Sequence, residues 1–280
     1  MTGRTARLHD GSTIDVMVVG NGPAVLLPVR TVPQDEATAE TMRAWGAEPD
    51  AGLAIVAGLR DAFRVIAADL EGHRMAHPAA ETLTPEALTQ DLLAIADAAG
   101  ADRFAYAGYS WLALCGLQLA IRTDRLWALV MGGFPPVDGP YREMLAVTRA
   151  AHAFSLAPRP TTPIAEVEPG DWDSAAVQTD PAQTRQFVTL YEALQNFDDA
   201  RAARGLTIPR LAYAGADDEI VYGPDWGDVT VRIAPPLREH QAELEADGWT
   251  VRVLDGRDHI SAMHSDAVLP LLTPWLRSAA

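Results

Sequence analysis

Three side chains of this chain could together take a proton and attack a carbonyl: Ser110, Asp218 and His259. A serine hydroxyl is a poor nucleophile until a base removes its proton as it attacks. Imidazole titrates near neutrality, so it can take that proton and return it to a leaving group. A carboxylate on the other ring nitrogen fixes the tautomer and stabilises the imidazolium. The three stand in the chain order Ser, Asp, His, which such a set takes on one kind of open parallel sheet.

Each position has rivals. Ser110 has the alternative of simply capping the helix after it, which its strand–turn–helix setting disfavours. His240 lies in an exposed helical pattern and His264 inside the last helix, whereas His259 follows a strand end. His9, His73, His77 and His152 follow no strand end late enough in the chain. For the acid, Asp217, Asp218 and Asp225 all come after the same strand, and spacing from Gly215 favours Asp218.

The elements that must position these groups are legible. Residues 104–109 are short, apolar and aromatic-rich, as a buried strand requires, and 112–121 are apolar nearly all round, as a buried helix requires. Gly108-Tyr109-Ser110-Trp111 joins them with no room for a loop, so the turn lifts Ser110 out of the sheet edge. This is most of the G-x-S-x-G nucleophile elbow, with Leu112 where its last glycine would be. Seven further strands are expected at 4–9, 13–19, 24–28, 63–69, 126–131, 208–214 and 249–254, the first two turning about Asp10-Gly11. Helices are expected near 34–45, 49–61, 237–247 and from 261. A further one, 85–99, is bracketed by Thr84, Pro85 and Gly100.

Residues 71–74 and 223–236 read as loops. From Gly132 to about Gly205 prolines break the rhythm, and two helices, 141–154 and 181–197, stand in about seventy residues between consecutive strands. The expectation is an α/β chain: a mainly parallel eight-stranded sheet, helices on both faces, and an inserted helical cap. Residues 1–133 and 206–280 would form the core domain and 134–205 the cap.

The 280 residues are 48% hydrophobic and 21% charged, an ordinary globular composition. A net charge of −16 argues against nucleic acid and anionic membrane surfaces as partners, which demand basic patches. The one cysteine, Cys115, falls on the buried helix and excludes an intramolecular disulfide; burial there disfavours a reactive thiolate. The N-terminal residues lack the apolar core of a signal peptide, and no apolar run approaches the roughly 20 residues of a spanning helix. A cytoplasmic protein acting on a small molecule is expected. The histidines lack metal-ligand spacing and no glycine-rich phosphate loop follows a strand, so no metal and no cofactor is expected.

Four segments in order resemble the α/β-hydrolase fold family, and the resemblance covers nearly the whole chain. Residues 63–73 are similar to its strand and D-x-x-G-H loop, Gly108-Tyr109-Ser110-Trp111 to its elbow, Gly215-Ala216-Asp217-Asp218 to its acid turn, and 254–259 to its histidine loop. The resemblance implies a cofactor-free serine hydrolase, an esterase or lactonase, with a helical cap over its site. The substrate would be a small to medium, largely uncharged ester or lactone. A serine at the elbow separates the chain from the branches that use a carboxylate nucleophile.

The same resemblance implies one oxyanion donor from the Trp111 N–H and another from the loop after the third strand. That loop reads Pro28-Val29-Arg30 where the family often has His-Gly, so Val29 or Arg30 would donate. The Arg30 guanidinium would stand at the pocket mouth, and Trp111, Phe154, Trp172, Phe187 and Tyr191 are candidate lining residues. Pro28 and Leu112 also motivate a second hypothesis, a fold that keeps a pocket without hydrolysis, as a small-ligand binder or a cyclase or lyase.

Overall fold

The eight expected strands lie in one sheet because their apolar residues alternate between two opposite cores. The computed structural model describes residues 3–157 and 180–280. The strands are β1 (Arg4–Arg7), β2 (Thr13–Val19), β3 (Ala24–Leu27), β4 (Arg64–Ala67), β5 (Phe104–Tyr109), β6 (Leu126–Gly132), β7 (Arg210–Gly215) and β10 (Trp249–Leu254). Their spatial order is β1-β2-β4-β3-β5-β6-β7-β10. From β4 to β10 all pairings are parallel, while β1 and β2 form an antiparallel edge.

Leu26, Ile66, Tyr106 and Leu129 point to one face, and Val25, Leu27, Val65, Ala105 and Val130 to the other. Helices α4 (Pro85–Ala99) and α5 (Trp111–Ala120) cover the first face. Helices α2 (Ala51–Leu59) and α11 (Ser265–Ala279) cover the second. Burying both faces is what a parallel sheet with crossover helices demands. α4 starts and stops where its caps place it: the Thr84 side chain accepts from the Ala87 N–H, and Gly100 takes the left-handed conformation at the end.

Several expectations need correction. Residues 70–76 form a helix, α3 (Leu70–Ala76), because the Asp69 side chain caps the Gly72 N–H at 2.9 Å. The stretch expected as a loop at 223–236 is largely the turn and second strand of an antiparallel hairpin, β8 (Glu219–Tyr222) with β9 (Val229–Arg232), whose Gly, Pro and Asp residues fill the turn between the strands. The helix expected at 237–247 is two short ones, α9 (Ala234–Glu239) and α10 (Gln241–Ala246), meeting at His240. In the segment after β6, α6 (Tyr141–Leu156) packs on α7 (Pro181–Ala193). The helix expected at 181–197 stops at Ala193, and a separate α8 (Asp199–Gly205), capped by Asp198, follows beyond it. Helix α1 (Glu36–Ala44) precedes α2.

Candidate active site

The turn from β5 into α5 carries Ser110 at φ 56°, ψ −132°, a backbone state that glycine adopts far more readily than a residue with a Cβ. The Ser110 N–H donates to the Gly132 carbonyl on β6 at 2.7 Å, which pins the strained residue to the sheet. The turn is tight at Gly108, where a Cβ would stand 2.4 Å from the Leu112 carbonyl oxygen. The Tyr106 hydroxyl donates to that carbonyl at 2.7 Å. A leucine therefore fits the last elbow position. A second close approach of helix to strand falls at Gly116, where a Cβ would lie 2.6 Å from the Tyr106 ring. A glycine inside an otherwise good helix was the signal for this contact.

The structure brings Ser110, His259 and Asp218 together from three strand ends. His259 Nε2 lies 3.1 Å from Ser110 Oγ, and His259 Nδ1 lies 2.9 and 3.0 Å from the two Asp218 carboxylate oxygens. This network fits the tautomer in which Nδ1–H donates to Asp218 and Nε2 accepts from the serine. The Asp218 side chain is fully buried, and burial pushes its carboxyl up while the bond to His259 works against that rise.

The acid is held by the hairpin that follows it. The N–H groups of Ile233 and Ala234 both donate to the Asp218 carbonyl, so β8 and β9 leave and return to the same residue. The histidine loop closes on Gly215, where a Cβ would stand 2.3 Å from the Arg257 carbonyl oxygen. His259 hydrogen-bonds neither Asp217 nor Asp225 among the described residues: Asp217 lines a second groove that His259 also borders, and Asp225 sits in a short turn at 224–226. His240 faces Glu243, and His264 precedes α11. Cys115 is buried, and burial pushes its thiol well above the ordinary range.

Ser110 and His259 line a cavity of about 510 Å³. Two backbone N–H groups in its wall, those of Trp111 and Arg30, donate to no acceptor among the described residues. Val29 is corrected as a donor, because its N–H is turned to the Leu27 carbonyl at 3.0 Å. Arg30 lines the cavity, with its Nε–H donating to the Val32 carbonyl and one terminal nitrogen 4.0 Å from Asp69. An alkoxide or an acyl-transfer oxyanion formed at Ser110 would face the Trp111 N–H at the start of α5.

Of the expected lining residues, Arg30 and Trp111 are in place and three are not. Phe154 stacks near Trp226, Phe187 meets Trp111 edge-on at 5.3 Å, and Tyr191 is buried in the core. Trp172 lies outside the described residues. Much of the wall comes from the chain between β3 and α2, through Gln34, Met42 and Glu48, and from Glu71 on α3. Sequence reading missed these because amphipathic patterning marks a helix but not which cavity its face borders. Tyr109 was also missed, although its hydroxyl donates to the His259 carbonyl at 2.8 Å.

Among the described residues no group of three or more His, Cys, Asp or Glu side chains could hold a metal ion, and no helix is long and apolar enough to cross a membrane.

With sheet order, strained turn and strand-end residues in view, the chain has the α/β-hydrolase fold. Solved structures similar to it along nearly their whole lengths include a thermophilic esterase from Thermogutta terrifontis, at 20% identity, covering 99% of this chain and 98% of that one, with a TM-score of 0.59. The enol-lactonase of Burkholderia xenovorans matches at 23% identity, 98% and 99% coverage and a TM-score of 0.60. An esterase from a Rhodococcus species matches at 19% identity, full coverage of both chains and a TM-score of 0.56. No protein-family model and no curated protein sequence matches the chain.

Proposed function

We propose that this protein is a serine hydrolase cleaving small to medium carboxylic esters or lactones through an acyl-enzyme on Ser110. The observation that carries the reading is the unbroken hydrogen-bond path from the buried Asp218 through both nitrogens of His259 to Ser110 Oγ, beside a cavity. His259 takes the serine proton as Oγ attacks the carbonyl carbon, and the Trp111 and Arg30 N–H groups receive the oxyanion. Collapse of that intermediate expels the alcohol, which takes the proton back from His259. Water then repeats the sequence and releases the acid. A lactone follows the same steps with the alcohol still tethered.

The esterase and lactonase among the similar structures support this class of reaction, and no cofactor enters it. The segment between β6 and β7 is the cap in this reading, supported by the packing of Phe187 of α7 on Trp111.

The test is covalent. An alkyl fluorophosphonate should label the wild type at Ser110 and hydrolysis of p-nitrophenyl acyl esters should follow the same residue. Equal labelling of wild type and Ser110→Ala, or labelling of neither, would reject the proposal.

A further inference from the structure

Four acidic or basic side chains line the cavity in addition to His259: Arg30, Glu48, Asp69 and Glu71. Three of them are occupied. Glu48 accepts from the Ser265 N–H and hydroxyl at 2.6 and 2.7 Å. Asp69 caps α3 and lies near Arg30, whose own Nε–H is committed to a backbone carbonyl. Glu71 has one long contact, its Oε1 accepting from the Trp111 indole N–H at 3.4 Å, and its second oxygen has no partner among the described residues. Formally this wall carries three negative charges against one positive charge when His259 is neutral.

Trp111 is next in sequence to Ser110, so Glu71 borders the space where a substrate would sit. Its side chain is exposed on the cavity wall, and desolvation there, together with the Asp69 charge, outweighs the Trp111 hydrogen bond and pushes its carboxyl above the ordinary range. A neutral hydrogen-bond donor would leave the excess negative charge in place. An alkylammonium group would balance it, held by the Glu71 carboxylate beside the Trp111 indole N–H.

We infer that Glu71, with Trp111 beside it, forms a subsite for a positively charged alkylammonium group, so that the preferred substrate is an ester bearing one such group. This deepens the hydrolase reading and narrows the largely uncharged substrate expected from sequence. The subsite itself can be tested without turnover.

The probes are butyrylcholine and its neutral isostere 3,3-dimethylbutyl butyrate, with binding measured by calorimetry on the Ser110→Ala protein. The cation should bind at least about tenfold tighter than the isostere, a modest figure for one charge pair in a partly enclosed site, and the preference should shrink as salt is added. Glu71→Gln, introduced into the same background, should bring the ratio to about one. Glu71→Lys should reverse it, provided that each variant keeps the parent's circular dichroism and melting. Equal affinities on Ser110→Ala, no binding of either probe at millimolar concentration, or a preference that survives Glu71→Gln would overturn the inference. Ser110-dependent cleavage of the neutral ester by the wild type is scored separately, so loss of the hydrolase reading and loss of the subsite are distinguishable.

Discussion

The hydroxyl of Tyr109 donates to the backbone carbonyl of His259 at 2.8 Å, so the residue before Ser110 holds the main chain of the residue facing it. The two rings also lie 5.2 Å apart. Burial pushes the Tyr109 phenol well up, which keeps it a donor. In the proposed enzyme Tyr109 is thus a positioning residue. Tyr109→Phe should lower kcat about 2- to 10-fold, the range of one neutral hydrogen bond, with KM little changed. Steady-state kinetics on a p-nitrophenyl ester decide the matter, and a rise in KM alone would contradict the role.

Asp218 has a sharper expectation. Asparagine at this position can present its amide to His259 and favour the wrong tautomer, leaving the serine without a base. Asp218→Asn should reduce kcat by about 10³- to 10⁴-fold while ester binding persists. Retention of more than a tenth of the wild-type rate would reassign the acid.

The conformation of Ser110 stores strain of roughly 1–3 kcal/mol. Ser110→Gly should relieve part of it, making the glycine variant more stable than Ser110→Ala by about 1 kcal/mol, although both lose the nucleophile. Urea unfolding of the pair measures this, and an alanine variant as stable as the glycine one would show that the turn is unstrained.

Gly215 meets the histidine loop backbone-to-backbone, so Gly215→Ala cannot be accommodated by a side-chain rotation. We expect a loss of about 1–3 kcal/mol from the strain of overpacking, together with a fall in kcat as the 257–259 segment shifts. Wild-type kinetics in this variant would argue that the loop is compliant.

The β1–β2 turn supplies a prediction in pH. Burial alone would raise the Asp10 carboxyl, but hydrogen bonds from Arg74, at 2.6 Å, and from Ser12 outweigh it and hold the group well below its ordinary 3.8. Because the folded value is the lower one, the stabilisation is complete above 3.8 and drains away as pH falls through the folded value. Asp10→Asn should therefore be less stable at neutral pH but lose less stability on acidification. Parallel stability curves for the two proteins between pH 6 and 2 would contradict this assignment.

Much of the fold was legible from local rules. The strands at 104–109, 13–19 and 249–254 and the helix at 85–99 have the expected bounds, because apolar periodicity and caps act within a few residues of chain. The turn at Ser110 and the strand-end positions of Asp218 and His259 were also visible, since a parallel sheet brings its strand ends to one side. The hairpin after Asp218 was not legible. Its strands are four residues each, too short for a pattern, and their pairing depends on the chain returning to donate two N–H groups to Asp218. Which N–H the 28–30 loop presents was equally hidden, because Val29 and Arg30 differ only in how the backbone turns after Leu27.

The sheet, its two buried faces and the three residues at its strand ends follow from residue type and spacing along the chain. Tertiary structure alone decided what surrounds them. The carboxylate of Glu71 beside Trp111, the tether from Tyr109 to His259, and the lining drawn from the chain between β3 and α2 rather than from Phe154, Phe187 or Tyr191 join segments far apart in sequence. Such contacts are set by the shape in which whole helices pack, and no short stretch of residues encodes that shape.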